Sequence, residues 1–561
     1  MRDTPTTSDV PRSRSTALLA LAALTTLAAM TAPTHAQPGD RPPTQDGGGL
    51  LARMTAFHTD VPQHPLDIVL VNPTHDSITV SVLACADTEC CIELAPPPGG
   101  KPVRTPARVL KAGEPALFVL TDLRPDTDYH YRCWSRALPQ NSAPAGRPPG
   151  TRATQEAEFT PTDQYSFHTP RPPGSPFTFT IIADSHLDAP MTPAVYEQAL
   201  ANALADSPDF HIDLGDTFMT DKRGRDFKSA QPQYLAQRYY LGQLCHSAPL
   251  FMVLGNHDGE WGYARGRAGD KDAMAPWSFN QRTRYFPAPA ITDNADGNAM
   301  YSGQTTLAKG QGANYYAFTW SDAQCIVLDP FWFTNEKARG PGGRNGAGKN
   351  EAGDRRGGRQ AGGAAPDAES ALTDESWTMT LGQTQYDWLT RTLESSHSTH
   401  KFVFIHHLVG GLGRSSRGGA GAAGYFEWGG KNADGSDGFA AHRPGWPMPI
   451  HQLLLKHHVE AVFHGHDHLY VHEELDGITY QCVPQPGNTN AGTRSAPDYG
   501  YKSGTIAGSP GHLRVSVTPT TTKVEFVRAD TNNNPESKPA RQTNRSVVDA
   551  YEMHAPPGTP R

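Results

Sequence analysis

Two patterns of apolar and polar positions divide the chain. Between residues 61 and 169, short apolar runs such as 67–71 and 116–120 are separated by Pro, Gly and Asp. This spacing is typical of strands in a small antiparallel β-sandwich. After residue 177, apolar strand-like runs alternate with stretches of helical character at 192–206, 231–244 and 383–395. This alternation predicts an α/β domain over residues 177–530.

Proline and glycine mark the segments between and inside these regions. Residues 170–176 contain four prolines and one glycine and predict a stiff linker, because the proline ring fixes φ. Residues 337–366 have almost no apolar side chain, which predicts a disordered insertion, and residues 410–438 form a Gly-rich loop. We expect the Pro- and Asn-rich residues 531–561 to form a mobile tail.

The N-terminal 36 residues have the character of a signal peptide. Arg12 and Arg14 precede an uncharged run rich in Ala and Leu, and Ala36 offers a small residue for cleavage. We therefore expect a secreted or periplasmic protein, with residues 37–60 as a linker; the alternative is an uncleaved membrane anchor. The later sequence has no run of the ~18–20 apolar residues that a membrane span needs, so none is expected after cleavage.

The composition limits the classes of partner that we expect and the expected state of the cysteines. Against 57 Asp and Glu, the 49 Lys and Arg give a formal net charge of −8. A stable nucleic-acid partner is therefore not expected, although nucleic acid stays open as a substrate. Seven cysteines are few for a disulfide scaffold. Cys85, Cys90, Cys91 and Cys133 could pair in an exported protein, whereas the scattered Cys245, Cys325 and Cys482 are expected to be buried and inert.

Five predicted strands of the α/β domain end in side chains that can bind metals. In chain order these are Asp184 and His186, then Asp216, Asn256, His406, and finally His466 with His468. Functional groups at the carboxyl ends of neighbouring parallel strands converge in one crevice. Oxygen and nitrogen donors without cysteine suit Fe, Mn or Zn. A carboxylate such as Asp216 could be shared by two cations ~3.5–4 Å apart, which together activate water for attack at phosphorus.

These blocks resemble a known family. The ordered set Asp-x-His, Gly-Asp, Gly-Asn-His-Asp, His and Gly-His-x-His is similar to the calcineurin-like metallophosphoesterases, from residue 177 to about residue 527. The resemblance implies a two-sheet αββα sandwich. In addition, residues 123–132 resemble the turn and strand of a fibronectin type III domain, in which the first Tyr, here Tyr129, bonds back to the turn. Together the two parts resemble the branch that includes purple acid phosphatases.

The resemblance also implies a role for each matching residue. A first metal would be held by Asp184, His186, Asp216 and His468, and a second by Asp216, Asn256, His406 and His466. His257 would stabilise the pentacoordinate phosphorus and help to protonate the leaving oxygen, and Asp258 would orient it.

Two positions depart from the purple acid phosphatase pattern. Met219 stands where those enzymes have a Tyr ligand, and His186 stands where they have Gly. We infer that an imidazole replaces the phenolate, so a tyrosinate charge-transfer band is not expected and the first metal need not be ferric iron.

Other histidines and one aspartate are weaker candidates. Of the adjacent pair, His406 is favoured over His407, because alternation along a strand lets only one face the site. His464, His457 and His458 are expected in the core or on a helix surface. For Asp213, a supporting role beside the metals and a solvated strand end are both open.

The loop after His407 supplies candidates for substrate recognition. Loops beside catalytic residues commonly select the substrate, and Tyr425, Trp428, Lys431 and Arg443 could hold a ring and a phosphate. The alternative is that Trp428 and Trp446 fasten the loop to the body of the domain.

The function expected from these features is that of an exported phosphoesterase with two divalent or trivalent metal ions. It would hydrolyse small phosphate monoesters, like an acid phosphatase, by attack of a metal-bridging hydroxide with help from His257. A phosphodiesterase or nucleotidase is the alternative within the family. A surface- or polymer-binding module with a structural metal site is the alternative from another class. The oligomeric state is not indicated by the sequence.

Overall fold

The computed structural model describes most of the chain between residues 57 and 555. The described residues are 57–95, 101–138, 157–223, 226–291, 300–306, 312–337, 372–413, 415–531 and 543–555. The predicted signal peptide, residues 37–56 of the predicted linker and residues 338–366 of the predicted insertion lie outside them. In the described part of the chain, no helix combines the length and apolar character needed to cross a bilayer.

The N-terminal region forms two antiparallel sheets. Its strands are β1 (Leu66–Val71), β2 (Ile78–Ala84), β3 (Thr88–Leu94), β4 (Val103–Arg104), β5 (Arg108–Leu110), β6 (Pro115–Leu120), β7 (Asp128–Ala137), β8 (Thr160–Pro161) and β9 (Tyr165–His168). One sheet has the order β1-β2-β6, and the other has the order β4-β3-β7-β8, with β5 beside β3 and β9 beside β7. Apolar side chains from both sheets, among them Val80, Phe118, Ile92 and Tyr131, share one buried core. The hydroxyl of Tyr129 accepts the backbone N–H of Arg124 at 2.8 Å, as the fibronectin-like turn predicts.

The α/β region contains two further sheets. Its strands are β10 (Phe177–Ile182), β11 (Phe210–Asp213), β12 (Leu250–Met252), β13 (Tyr301–Gln304), β14 (Tyr315–Trp320), β15 (Ala323–Val327), β16 (His400–Phe404), β17 (Ala461–His464), β18 (Leu469–Leu475), β19 (Ile478–Cys482), β20 (Thr505–Gly508), β21 (Gly511–Val517), β22 (Thr521–Arg528) and β23 (Val547–His554). The first sheet has the order β12-β11-β10-β21-β22-β23, and the second has the order β13-β14-β15-β16-β17-β19-β18-β20. Strands β10, β11 and β12 are parallel, as are β15, β16 and β17.

Helices cover the outer faces of these two sheets. They are α1 (Pro193–Leu204), α2 (Gln231–Cys245), α3 (Met274–Tyr285), α4 (Gly382–Glu394), α5 (Phe426–Gly429), α6 (Phe439–His442) and α7 (Ile450–Lys456). Helices α1 and α2 pack on the first sheet, and α4 and α7 pack on the second. The core between the sheets is rich in phenylalanine, with Phe179 stacked on Phe210 and Phe404 on Phe463 at centroid distances of 4.9 and 5.3 Å. The predicted αββα fold is confirmed, and the three predicted helices correspond to α1, α2 and α4.

The prediction of a mobile tail over 531–561 is wrong for Val547–His554. These residues form β23, which pairs along its length with β22 at the edge of the first sheet. The ring of Tyr551 stacks on His472 with centroids 3.6 Å apart, and its hydroxyl donates to Gln481 at 2.9 Å. The Pro- and Asn-rich composition suggested a tail. Composition alone does not show that β22 has a free edge with which a later strand can pair.

All seven cysteines are free thiols in the structure. Cys245, Cys325 and Cys482 are fully buried, as predicted. Of the four that could pair, Cys90, Cys91 and Cys133 lie in the buried part of the sandwich, whereas Cys85 is exposed.

Candidate metal centre

The predicted metal ligands lie directly beyond the carboxyl ends of five strands. Asp184 and His186 follow β10, Asp216 follows β11, and Asn256 follows β12; the other three histidines follow β16 and β17 of the other sheet. Four of these side chains sit on residues with positive φ, namely Asp184 (56°), Asp216 (55°), His466 (74°) and His468 (60°). Non-glycine residues rarely adopt this conformation, which costs about 1–3 kcal/mol each and is concentrated at functional sites.

The first cluster consists of Asp184, His186 and His468. One ligand atom from each residue lies within 4.8 Å of the other two. The Nε2 atom of His468 is 3.4 Å from Asp184 Oδ1 and 3.3 Å from His186 Nε2. Asp184 and His186 are buried, and His468 is partly exposed, so the cluster can be reached from one side.

The second cluster consists of Asp216, His406 and His466, again with ligand atoms within 4.8 Å of one another. The Nε2 atom of His406 is 3.2 Å from Asp216 Oδ2 and 3.1 Å from Asn256 Oδ1. It is also 3.9 Å from Asp184 Oδ1, so the two clusters adjoin. The structure thus brings all seven predicted ligand residues together in two adjoining clusters. The sharing of Asp216 between two ions stays a prediction.

Hydrogen bonds on the far side of each imidazole orient the ligand nitrogens. His186 donates from Nδ1 to Asp188 at 2.8 Å, and His406 donates from Nδ1 to the carbonyl of Leu214 at 2.8 Å. Each bond fixes the tautomer in which Nε2 presents a lone pair to the cluster. In His466 it is Nε2 that contacts the carbonyl of Ser415, which leaves Nδ1 available as a ligand.

The donor set fits bound cations. Asp184 Oδ1 is fully buried without a hydrogen-bond partner, and a buried carboxylate oxygen is stable only next to positive charge. Burial alone would lower the pKa of His406, but the charge and hydrogen bond of Asp216 raise it to about 9. The carboxylates therefore attract a proton when no metal is present, and a metal ion would supply that positive charge instead.

His257 is placed as predicted, but its partner is different. Its Nδ1 atom donates to Asp221 Oδ2 at 2.8 Å, and its backbone N–H donates to Asp216 Oδ1 at 2.7 Å. The side chain of His257 is 23% exposed, so its ring can meet a substrate at the edge of the clusters. Asp221 lies in the short 3-10 helix Thr220–Arg223, which no sequence motif marks.

The prediction that Asp258 orients His257 is wrong. The carboxylate of Asp258 is buried and accepts the backbone N–H groups of Thr217, Phe218 and Gly255 at 2.8–2.9 Å, and that of Asp216 at 3.2 Å. Burial and the charge of Asp216 raise the pKa of Asp258 to about 7. Because it binds the turns after β11 and β12, Asp258 fixes the backbone that carries Asp216 and Asn256.

Two buried residues support the clusters. The sequence left the role of Asp213 open and did not indicate Gln485. Asp213 is fully buried and accepts from Ser185 Oγ at 2.9 Å and Thr217 Oγ1 at 3.1 Å, so its role is support rather than a solvated strand end. Gln485 donates from Nε2 to the carbonyl of Asp184 at 2.9 Å. These contacts tie the turn after β10 to neighbouring segments, and no motif in the sequence marked Gln485.

The remaining histidines lie outside the clusters. The ring of His407 packs 4.9 Å from that of His466 and bonds to the carbonyl of Leu408, which agrees with the choice of His406. His464 is buried in the core, and His457 and His458 lie at the end of α7. These positions are the ones predicted.

Two of the four predicted substrate residues belong to the body of the domain. Trp428 is fully buried, and its indole N–H donates to the hydroxyl of Tyr480 at 2.9 Å. Arg443 forms an ion pair with the buried Glu427 and donates to the carbonyls of Trp377 and Met379. The substrate role is therefore wrong for Trp428 and Arg443, because the loop folds inward around Glu427.

The second tryptophan and the two remaining predicted substrate residues are placed differently from one another. Trp446 stacks on Tyr386 at 3.8 Å, so both tryptophans fasten the loop to the body of the domain, which was the alternative interpretation. Lys431 is exposed and Tyr425 is half-buried, and their substrate role stays a prediction.

Comparison with known proteins agrees with this geometry. Residues 177–343 match the family described as calcineurin-like phosphoesterase. This match assigns residues 177–343 to a calcineurin-like phosphoesterase domain. The second cluster draws on His406 and His466, which lie beyond the matched residues.

Solved structures share the fold over most of the chain. The solved structure of PhoD aligns with a TM-score of 0.55 and 14% identity, covering 88% of this chain and 91% of its own. Purple acid phosphatase PPD1 from yellow lupin seeds aligns with a TM-score of 0.51 and 14% identity, covering 87% of this chain and 74% of its own. At such identity these likenesses show the metallophosphoesterase fold alone. A search of curated proteins gave no match.

Proposed function

We propose that this protein is an exported phosphoesterase that binds two metal ions and hydrolyses small phosphate monoesters. The observation that carries the proposal is the convergence of six oxygen and nitrogen ligands in two adjoining clusters, with Asn256 against His406 and the partly exposed His257 beside Asp216. Cysteine is absent from both clusters, which favours Fe, Mn or Zn over softer metals.

Bound cations at such a site polarise phosphoryl oxygens and lower the pKa of coordinated water. The residues of this chain hold the ligands in place for that chemistry. Asp258 fixes the turns that carry Asp216 and Asn256 through four backbone N–H groups. The hydrogen bonds of His186 and His406 to Asp188 and Leu214 keep the ligand nitrogens directed at the clusters.

His257 is suited to bind the phosphoryl group and to protonate the leaving oxygen. The carboxylate of Asp221 accepts a hydrogen bond from Nδ1 at 2.8 Å, which holds the imidazole with Nε2 on the side away from Asp221. A proton on Nε2 can be donated to an oxygen of the substrate, first in a hydrogen bond to the phosphoryl group and then as the proton that leaves with the alcohol.

Metal analysis and a phosphate-release screen test the proposal. We expect purified mature protein to contain at least two metal ions and to release phosphate from monoesters. Asn256→Ala should lower metal content and activity together, whereas His257→Ala should lower activity with metal content retained. An ester panel that includes diesters and nucleotides separates the monoester proposal from a phosphodiesterase or nucleotidase.

A binding module with a structural metal site predicts a different result. In that case the wild type would hydrolyse no ester when Mn, Fe or Zn is supplied, and both variants would bind the partner normally. The screen therefore distinguishes the two classes of function directly.

Export is the part of the proposal that rests on residues 1–36 alone. Arg12, Arg14 and the apolar run before Ala36 support a cleaved leader. N-terminal sequencing of protein recovered from its native compartment should begin at Gln37. A chain that retains residues 1–36 would contradict this part and leave the enzymatic proposal intact.

A further inference from the structure

We propose that His64, Asp67 and Cys85 form a separate binding site for a divalent transition metal such as Zn²⁺, where the β-sandwich meets helix α2. Neither the proposed phosphoesterase activity nor its seven ligands involve these residues. The site therefore stands or fails independently of the proposed function.

The pairing of strands β1 and β2 of the sandwich brings the three residues together. Strands β1 and β2 are antiparallel, with Leu66 opposite Ala84 and Asp67 opposite Leu83. His64 precedes β1 and Cys85 directly follows β2, so both lie at the same end of this strand pair. The backbone N–H of Cys85 donates to the carbonyl of Pro65 at 3.0 Å, which closes that end.

The three donor atoms converge on one point. His64 Nε2 is 2.7 Å from Asp67 Oδ1 and 3.5 Å from Cys85 Sγ, and all three ligand atoms lie within 4.8 Å of one another. One thiolate, one imidazole and one carboxylate form a donor set that Zn²⁺ accepts. The catalytic clusters contain no sulfur ligand, so the two kinds of site differ in chemistry.

The orientation of His64 favours a cation at this point. Its Nδ1 atom donates to the carbonyl of Pro62 at 2.7 Å, and a metal-binding histidine commonly uses its second nitrogen in this way. With the Nδ1 proton held there, Nε2 directs a lone pair at a carboxylate oxygen. Two lone pairs at hydrogen-bond distance require positive charge between them, which is either a proton or a metal ion.

The spacing suits a tetrahedral ion with small adjustments. Zn–S and Zn–N bonds of about 2.3 and 2.0 Å put neighbouring ligand atoms roughly 3.3–3.6 Å apart. The separation of Cys85 Sγ and His64 Nε2, 3.5 Å, already falls in this range. The contact of His64 with Asp67 at 2.7 Å would widen by about 0.6 Å, because an ion replaces the bridging proton.

The surroundings hold the ligands and leave a coordination position accessible. Asp67 is buried in β1, where its carbonyl accepts from Arg238 of α2 at 3.1 Å, and the ring of His64 packs 4.9 Å from that of Tyr239. On the other side, His64 and Cys85 line an open groove together with Thr88 and Glu158. An ion here would join the segment that enters the sandwich to its first two strands, beside α2.

Cobalt substitution tests the site without reference to catalysis. Thiolate bound to Co²⁺ produces a charge-transfer absorption in the near ultraviolet, and among the proposed ligands of this protein only Cys85 carries sulfur. We expect the full mature protein, stripped of metal and titrated with Co²⁺, to develop this band. Cys85→Ser should abolish the band and lower the bound metal by one ion per chain, with phosphate release unchanged.

Two further variants keep the result unambiguous. Cys91→Ser, a control cysteine change in strand β3 of the other sheet of the sandwich, should retain the band. His64→Gln should weaken Co²⁺ binding at least tenfold and provides a second route if Cys85→Ser fails to fold. A wild type without the thiolate band, or a band that persists in Cys85→Ser, would overturn the proposal.

Discussion

Asp221→Asn removes the negative charge that faces His257 while it preserves the size of the side chain. The bond joins Asp221 Oδ2 to His257 Nδ1 at 2.8 Å. A hydrogen bond to a charged group, here the Asp221 carboxylate, contributes about 1.5–3 kcal/mol. Because the two side chains are 32% and 23% exposed, solvent screening places this bond near the lower value. A loss of about 1.4 kcal/mol corresponds to a tenfold lower rate, so we expect kcat to fall about tenfold with KM nearly unchanged.

Steady-state hydrolysis of phosphate monoesters with different leaving groups measures this effect. If His257 protonates the leaving oxygen, Asp221→Asn should slow alkyl phosphates more than aryl phosphates, because alkoxides need the proton more. Asp226→Asn removes a charge from an exposed position five residues away and should leave kcat unchanged.

The double variant tests the coupling. When His257→Ala is already present, Asp221→Asn should add little further loss, because its effect acts through the imidazole. An unchanged kcat in Asp221→Asn, or an equal loss with and without His257, would refute the assigned partnership.

Three other results are expected. Asp258→Asn should lower the metal affinity of the purified protein, measured by titration. The reason is that one carboxylate oxygen, which accepts backbone N–H groups of the turns that carry the metal ligands, becomes an amide nitrogen. Unchanged affinity would contradict that role. Burial alone would lower the pKa of His400, but its bond to Glu460 at 2.9 Å raises it. The stability from this pair is therefore present at low pH and lost as pH rises through the raised pKa, and urea midpoints should show this decline in the wild type but not in His400→Gln. Arg443→Ala should destabilise the fold by about 3–5 kcal/mol in thermal or urea unfolding, because it leaves the buried carboxylate of Glu427 without its ion-pair partner. As a control, Lys431→Ala at an exposed position should change stability by less than about 0.5 kcal/mol.

The ligand set could be predicted because it follows local rules. Each donor comes within four residues of the end of an apolar strand, and parallel strands place such residues on one edge of the sheet. The family resemblance implied the division between two metals, and the structure places Asp184, His186 and His468 in one cluster and Asp216, His406 and His466 in the other. Helices α1, α2 and α4 were predictable because stretches of helical character alternate with the apolar strand-like runs.

What the sequence did not indicate depends on contacts between distant segments. Asp221 and Asp258 are both carboxylates near a ligand, and only the turn geometry shows which one bonds His257 and which one holds backbone N–H groups. Trp428 lies in a Gly-rich loop, yet the loop folds inward around the Glu427 and Arg443 pair. Likewise, β23 forms because β22 offers it an edge, which the composition of the segment does not show.

Anomalous diffraction from crystals of the purified metal-loaded protein is the most direct test of the dinuclear centre. We predict two peaks about 3.5–4 Å apart, one beside Asp184, His186 and His468 and the other beside Asn256, His406 and His466, with Asp216 between them. A single ion at these residues, or ions bound only elsewhere in the chain, would contradict the account.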